Sequence, residues 1–204
     1  MIKGYYFITD SGISRKGNVS DVKNAVRAGV KVIQYRNKNI DSGVLYREAL
    51  KLRKIVKKAV FLINDRADIA LAVGANGVHV GQSDLPYEKA RKILGKNKII
   101  GVTAHNVKEA MAAERAGADY LGVSPVFATR TKKDAGFAAG IDIIKKIKKR
   151  VKIPVVAIGG INLSNAKSVV DAGADSLCAI SAVVTRKDVK REIEKFQALF
   201  KERF

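Results

Sequence analysis

The chain has 204 residues, of which 47% are hydrophobic, so it can bury a large core and is not a disordered tail. No apolar run reaches the roughly 20 residues of a membrane helix, and the start MIKGYYFITD lacks the succession of a signal peptide, so a cytoplasmic protein is expected. One cysteine, Cys178, and two histidines, His79 and His105, exclude disulfides within the chain and leave no ordinary His/Cys metal centre.

In chain order, strand-like runs are expected near 5–9, 30–35, 59–63, 77–80, 99–103, 119–123, 154–158 and 176–180. Helical patterns follow near 20–28, 41–57, 66–73, 86–93, 106–116, 141–149, 164–171 and 188–202. A repeated phrase marks the joints: a helix ends at Gly29, Gly74, Gly117 or Gly173, and a β-rich run follows within a few residues. Glycine suits the left-handed position just past a helix. The strands are short and apolar, as strands buried on both faces are. Strict strand-helix alternation means parallel strands. Eight units predict an α/β fold, a minimal (β/α)8 TIM barrel in a single domain over 1–204; a doubly wound open sheet is the rival. No linker or second domain is visible.

The net charge is +20, with 39 Lys+Arg against 19 Asp+Glu. Much of the excess lies in helix-like stretches such as 51–58 and 145–150, interrupted by apolar residues at helical spacing. The plain reading is a solvated outer face. The sharper readings are RNA binding or attraction of phosphorylated substrates.

In a barrel, chemistry belongs on the loops after the strands' C-terminal ends. Gln34-Tyr35-Arg36-Asn37-Lys38 follows strand 2, Asn64-Asp65-Arg66 strand 3, and Gly81-Gln82-Ser83-Asp84 strand 4. Strand 5 ends in Thr103-Ala104-His105, and strand 6 runs into a loop carrying Thr129, Thr131 and Lys132. Strand 7 ends in Gly159-Gly160 and strand 8 in Ser181.

Asp65 and Asp84 are the candidate metal pair. With no His/Cys set, the metal would be hard and oxygen-liganded; Mg2+ takes one or two carboxylates and completes its sphere with water and phosphate. Taken alone, each aspartate reads first as a helix cap, with Pro86 opening helix 4. Arg36, Lys38 and Lys132 are candidate anion clamps, although any single one also reads as surface in so basic a chain. Gly160 with Ile180-Ser181 is a second anion candidate, since barrels often seat a phosphate on the loops after strands 7 and 8. The alternative there is a tight turn into helix 7, capped by Ser164. Thr129 and Thr131 offer hydroxyls in a polar loop. His79 reads as a satisfied core or rim residue, His105 as a cap or rim residue, and Cys178 as packing. Two anion sites beside a metal suggest a Mg-assisted transferase or lyase acting on phosphorylated small molecules.

At these residues the sequence resembles the thiamine phosphate synthase family. Residues 34–38 match Q-[YF]-R-x-K, 64–66 match N-D-R, and 77–84 match G-x-H-x-G-Q-x-D. Residues 129–135 match T-x-T-K-K-D-A and 157–161 match A-I-G-G-I. Five motifs in register over nearly the whole chain make the signal specific.

The resemblance implies a (β/α)8 enzyme that joins hydroxymethylpyrimidine diphosphate to a thiazole phosphate, releasing pyrophosphate through a pyrimidine carbocation. It implies Mg2+ held by Asp65 and Asp84, and the pyrimidine held by Gln34. Arg36, Lys38, Asn64, Thr103 and Lys132 would bind the diphosphate, with Arg36, Lys38 and Lys132 as the catalytic cations. Thr129, Thr131, Gly160, Ile180 and Ser181 would hold the thiazole phosphate. The expected partners are phosphorylated small molecules, with no nucleic acid or membrane; homo-oligomerisation is left open.

Some positions depart from the family pattern. Thr103 stands for the usual Ser, Ser124 for Gly and Ala128 for Pro, and Phe137-Ala138-Ala139 replaces a proline-bearing stretch. Two alternatives compete: a synthase-like thiazole tautomerase on the same fold, and a basic RNA-binding protein without catalysis. Lys38, Asp65, Asp84 and Lys132 argue against the first. The second lacks a stacking platform, since only 6% of residues are aromatic and none is Trp.

Overall fold

A computed structural model describes residues 2–38, 40–129, 131 and 137–201. The repeated glycines behave as their position demands. Gly29, Gly74, Gly117 and Gly173 take φ of 72°, 64°, 100° and 102°, where a side chain would be strained. Each reverses the chain from a helix into the next strand.

The strands are β1 (Gly4–Ile8), β2 (Val32–Tyr35), β3 (Val60–Asn64), β4 (Gly77–Val80), β5 (Ile99–Ala104), β6 (Tyr120–Val123), β7 (Val155–Ile158) and β8 (Ser176–Cys178). The first helices are α1 (Asn18–Arg27), α2 (Ser42–Ile55), α3 (Ala67–Ala72), α4 (Tyr87–Leu94) and α5 (Val107–Ala116). Then come α6 (Asp142–Lys148), α7 (Ala166–Asp171), α8 (Ile180–Val184) and α9 (Val189–Lys201). Every strand pairs in parallel with its neighbour, and β8 closes on β1, which makes a (β/α)8 barrel and rules out the open sheet.

Two apolar layers hold it. The larger lies between strands and helices and includes Phe7, Ile33, Leu52, Phe61, Leu121, Ile144, Ile193 and Phe196. The smaller fills the barrel, with Tyr6, Leu62, Tyr120 and Val156 among its members. Inside the Lys-rich stretches, Leu52, Val56 and Ile147 turn inward while Lys51, Lys54, Lys57, Lys58, Lys145 and Lys146 face solvent. These stretches are therefore the solvated outer faces of α2 and α6. No helix among the described residues is long and apolar enough to cross a membrane.

The main departure from the expected elements is at the end of the barrel. Strand 8 stops at Cys178, and Ile180 and Ser181 open the short helix α8 instead of prolonging the strand. The run Leu177-Cys178-Ala179-Ile180 is apolar throughout, so it carries no period to separate strand from helix. β1 likewise ends at Ile8, which puts Thr9 and Asp10 in the first loop.

Glycines make room for the large rings inside the barrel. A Cβ on Gly101 would lie 2.0 Å from the Tyr120 ring, and one on Gly122 would lie 2.8 Å from His79. Gly101→Ala is expected to lower stability by about 1–3 kcal/mol through overpacking. Urea unfolding of the variant against the parent checks this; an unchanged midpoint would show that Tyr120 moves aside without penalty.

Candidate active site at the barrel mouth

The strand register brings the polar residues to one end. Ile8 lies beside Gln34, Asn64 beside His79, and Thr103 beside Gly122. The loops that follow surround one cleft, open to solvent at its mouth. Gln34, Arg36, Lys38, Asn64, Asp65, Asp84 and Thr103 line it. So do Thr129, Thr131, Gly160, Ile180 and Ser181. Lys132 lies outside the described residues.

The two aspartates face each other. Their carboxyl groups are within hydrogen-bonding reach, and Lys38 Nζ stands 3.3 Å from Asp65 Oδ2. Neither aspartate caps a helix. The residues at those positions are Arg66 before α3 and Pro86 before α4, and neither helix start receives a side-chain cap. Asp84 Oδ2 instead accepts from Gly81 N–H at 2.8 Å, across a turn where a Cβ on Gly81 would meet that same oxygen. Asp65 adopts φ 63°, a left-handed conformation that Asp tolerates better than most residues, and its N–H donates to His79 O at 2.7 Å. Burial and the neighbouring Asp84 carboxyl push the Asp65 carboxyl up to about 6, against the opposing pull of Lys38.

This donor set suits a hard cation. Among the described residues, no group of three or more His, Cys, Asp or Glu side chains is placed to hold a metal ion. Two adjoining carboxylates at an open mouth match the site Mg2+ uses when water and phosphate supply its remaining ligands.

Arg36 and Lys38 leave β2 on one loop, which neighbouring residues hold in place. Arg36 Nη1 pairs with Asp10 Oδ2 at 3.2 Å, and Arg36 N–H donates to Thr9 Oγ1 at 2.9 Å. From α2, Glu48 accepts from Tyr35 O–H and from Asn37 Nδ2. Asp10 does not stand out in the sequence; the one signal for it is its place directly after the first strand.

On the opposite wall, Gly159 and Gly160 turn the chain with φ of 102° and 62°. A Cβ on Gly160 would lie 2.5 Å from Ala128 O, so the turn packs against the strand 6 loop. Ser164 does not cap α7; its hydroxyl donates to Asn162 Oδ1, and Asn165 holds the cap position. Ser181 lies in the first turn of α8. His105 sits on the rim, where Glu109 Oε2 accepts from its backbone N–H and lies 3.0 Å from its Nδ1; the cap of α5 is Asn106.

The floor holds residues that sequence reasoning does not reach. Tyr6 and Tyr120 are buried inside the barrel, with their hydroxyl oxygens 2.7 Å apart. His79 Nδ1 lies 2.9 Å from the Tyr120 hydroxyl, and Gln34 Nε2 donates to the Tyr6 hydroxyl at 2.9 Å. Both tyrosines sit in apolar strand runs and read there as core. Cys178 is free and buried, and desolvation pushes its thiol far above the usual range.

A closed parallel barrel with its polar groups gathered at one mouth defines the class: a (β/α)8-barrel enzyme. Residues 5–183 match the family model described as thiamine monophosphate synthase. The thiamine-phosphate synthase of Methanosarcina mazei is 54% identical over 199 residues, covering 97% of this chain and 83% of that protein. That of Chloroflexus aurantiacus is 47% identical over 197 residues, covering 95% of this chain and 91% of that protein. The structure of thiamine phosphate pyrophosphorylase from Pyrococcus furiosus superposes with a TM-score of 0.90 at 41% identity, covering 98% of this chain and 96% of that one. The chain belongs to the thiamine monophosphate synthase family.

The raised Asp65 pKa has a defined consequence for the metal-free protein. Its folded value of about 6 lies above the unfolded value near 3.9, so the folded state holds the proton more tightly. The associated stability is complete below about pH 4 and is lost as pH rises through about 6. Asp84→Asn is expected to flatten that loss, because Asp65 no longer faces a second carboxylate. Urea unfolding in EDTA between pH 4 and 7 measures both slopes; equal slopes would contradict the coupling.

Proposed function

We propose that the chain is a thiamine phosphate synthase, a transferase that joins hydroxymethylpyrimidine diphosphate to a thiazole phosphate. One observation carries this reading within the family. The Asp65–Asp84 pair with Lys38 and Arg36 stands across a single cleft from Gly160 and Ser181. Such a cleft suits two phosphorylated ligands laid head to head.

In the reaction, the bond from the exocyclic methylene to the diphosphate oxygen breaks and pyrophosphate leaves with the electron pair. The thiazole nitrogen lone pair then forms the new C–N bond to the resulting pyrimidine carbocation. No proton changes hands at the reacting centre, so no general base is required.

Asp65 and Asp84 are the residues that would hold Mg2+. Bound there, the ion supplies Lewis-acid neutralisation of the departing diphosphate. Arg36, Lys38 and Lys132 bind the diphosphate and stabilise the charge that grows on it, which makes them the catalytic cations. Asn64 and Thr103 add neutral donors to the same group. Gln34 holds the pyrimidine ring. Thr129, Thr131, Gly160, Ile180 and Ser181 hold the thiazole phosphate and so aim the nucleophile; placing two reactants in this way removes much of the entropic barrier.

Neither alternative gains support. A tautomerase has no use for a carboxylate pair between cations. An RNA-binding role calls for a group of exposed aromatic rings, whereas Tyr5, Tyr6, Tyr35 and Tyr120 are buried and the exposed Tyr46 and Phe137 stand apart, on α2 and on the loop after β6.

Three measurements test the proposal. The protein with both substrates and Mg2+ is expected to form thiamine phosphate and pyrophosphate in equal amounts; a folded protein without turnover would reject the reading. Asp84→Ala is expected to abolish Mg-dependent turnover while thiazole phosphate still binds, and normal turnover would remove Asp84 from the metal site. Gly160→Ala is expected to raise KM for the thiazole phosphate tenfold or more, by roughly the worth of one hydrogen bond to a charged group, with little change in KM for the diphosphate. Equal changes in both would undo the assignment of the two ends.

A further inference from the structure

The buried polar side chains under the cleft form an unbroken line. Gln34 Nε2 reaches the Tyr6 hydroxyl at 2.9 Å, Tyr6 reaches Tyr120 at 2.7 Å, and Tyr120 reaches His79 Nδ1 at 2.9 Å. His79 Nε2 then reaches Thr103 Oγ1 at 2.9 Å. Both ends, Gln34 and Thr103, line the cleft.

Counting protons gives the line a direction. Burial raises both phenols well above their usual range, so each tyrosine keeps its single hydrogen. The Tyr6 oxygen accepts from Gln34, and the acceptor for its own hydrogen is the Tyr120 oxygen. With the Gln34 amide nitrogen toward Tyr6, any other order strands a buried hydroxyl hydrogen, which is costly. The Tyr120 hydrogen must then go to His79 Nδ1. A neutral imidazole that accepts at Nδ1 carries its hydrogen on Nε2, which donates to Thr103 Oγ1. Thr103 keeps its own hydrogen for the cleft, and Gln34, whose amide nitrogen faces the tyrosine hydroxyls, leaves its carbonyl oxygen for the cleft.

We propose that Tyr6, Tyr120 and His79 are positioning residues, a one-way hydrogen-bond relay that fixes Gln34 as an acceptor and Thr103 as a donor. The cleft then takes an amino-bearing heterocycle at the Gln34 end only while it offers a hydrogen to an anion at the Thr103 end. An oxo group in place of the amino group would require the Gln34 amide to turn over. Every hydrogen in the line would reverse with it, and Thr103 would face the anion with a lone pair. The relay thus couples recognition of the ring substituent to binding of the anion. The identity of the ligand rests on the thiamine phosphate synthase reading; the direction of the relay does not.

Two experiments test it. The first uses the free full-length chain labelled with 15N-histidine, with long-range 1H–15N correlations assigned by comparison with His105→Gln. His79 is expected as the Nε2–H tautomer; an Nδ1–H tautomer or an imidazolium would overturn the relay. The second compares kcat/KM for the 4-aminopyrimidine diphosphate with that for its 4-oxo analogue. The parent is expected to prefer the amino compound by roughly 10- to 100-fold, the worth of one or two hydrogen bonds. Tyr6→Phe frees the Gln34 amide to turn, so this preference should shrink to about threefold or less while KM for the thiazole phosphate stays unchanged. Undiminished preference in a folded Tyr6→Phe protein would overturn the proposal. Should that variant not fold, the tautomer of the parent decides. A parent inactive on both pyrimidines would reject the synthase reading, and the His79 tautomer alone would then confirm or overturn the relay.

Discussion

Two carboxylates held against each other in a half-buried place are the constraint around which this barrel mouth is organised. Like charges in contact are unfavourable, and burial makes them more so. Here one of them is driven up to about pH 6, and Lys38 at 3.3 Å offsets only part of that cost. Nothing in the packing of the barrel requires the pair, since neither aspartate caps a helix or fills the core. Their arrangement depends on backbone that other residues secure: a left-handed turn at Asp65, a bond from Gly81 to Asp84, and the bond from Asp65 to His79. On the proposed function, that cost is offset when positive charge and a polyanion arrive together.

The floor of the cleft answers a different need. A barrel interior excludes water, so its polar atoms must satisfy one another. Tyr6, Tyr120 and His79 do so in one line, and Gly101 and Gly122 provide the space for their rings. Their polar tips end at Gln34 and Thr103, where the cleft begins. On the proposed relay, a stable core and an ordered binding floor are the same set of side chains. That explains why a residue as costly to bury as tyrosine appears twice inside so small a barrel.

Much of this was legible in the sequence. The helix-ending glycines and the short apolar strands define the barrel, because each glycine position demands a backbone that other residues avoid. The sorting of Asp, Lys, Arg and Thr to strand ends defined the mouth. Period fails where every residue is apolar, which is why β8 and α8 merged into one expected strand. Tyr6 and Tyr120 were invisible as site residues because an aromatic in a strand looks the same whether its hydroxyl is used or not. Asp10 escaped notice because its role is to pair with Arg36, a contact between residues 26 apart. Surface charge was read correctly as solvated helix faces, where exposed pairs such as Lys167–Asp171 add little stability.

On the proposed function, the chemistry of this mouth turns on where a divalent cation sits when the diphosphate is bound. The direct measurement is a crystal structure of the protein with the pyrimidine diphosphate and Mn2+, using the anomalous signal of the metal. One peak is expected, bridging the Asp65 and Asp84 carboxylates and the diphosphate, with the pyrimidine ring against Gln34. A metal bound elsewhere, or a diphosphate seated on Gly160 and Ser181 with the aspartates untouched, would contradict it.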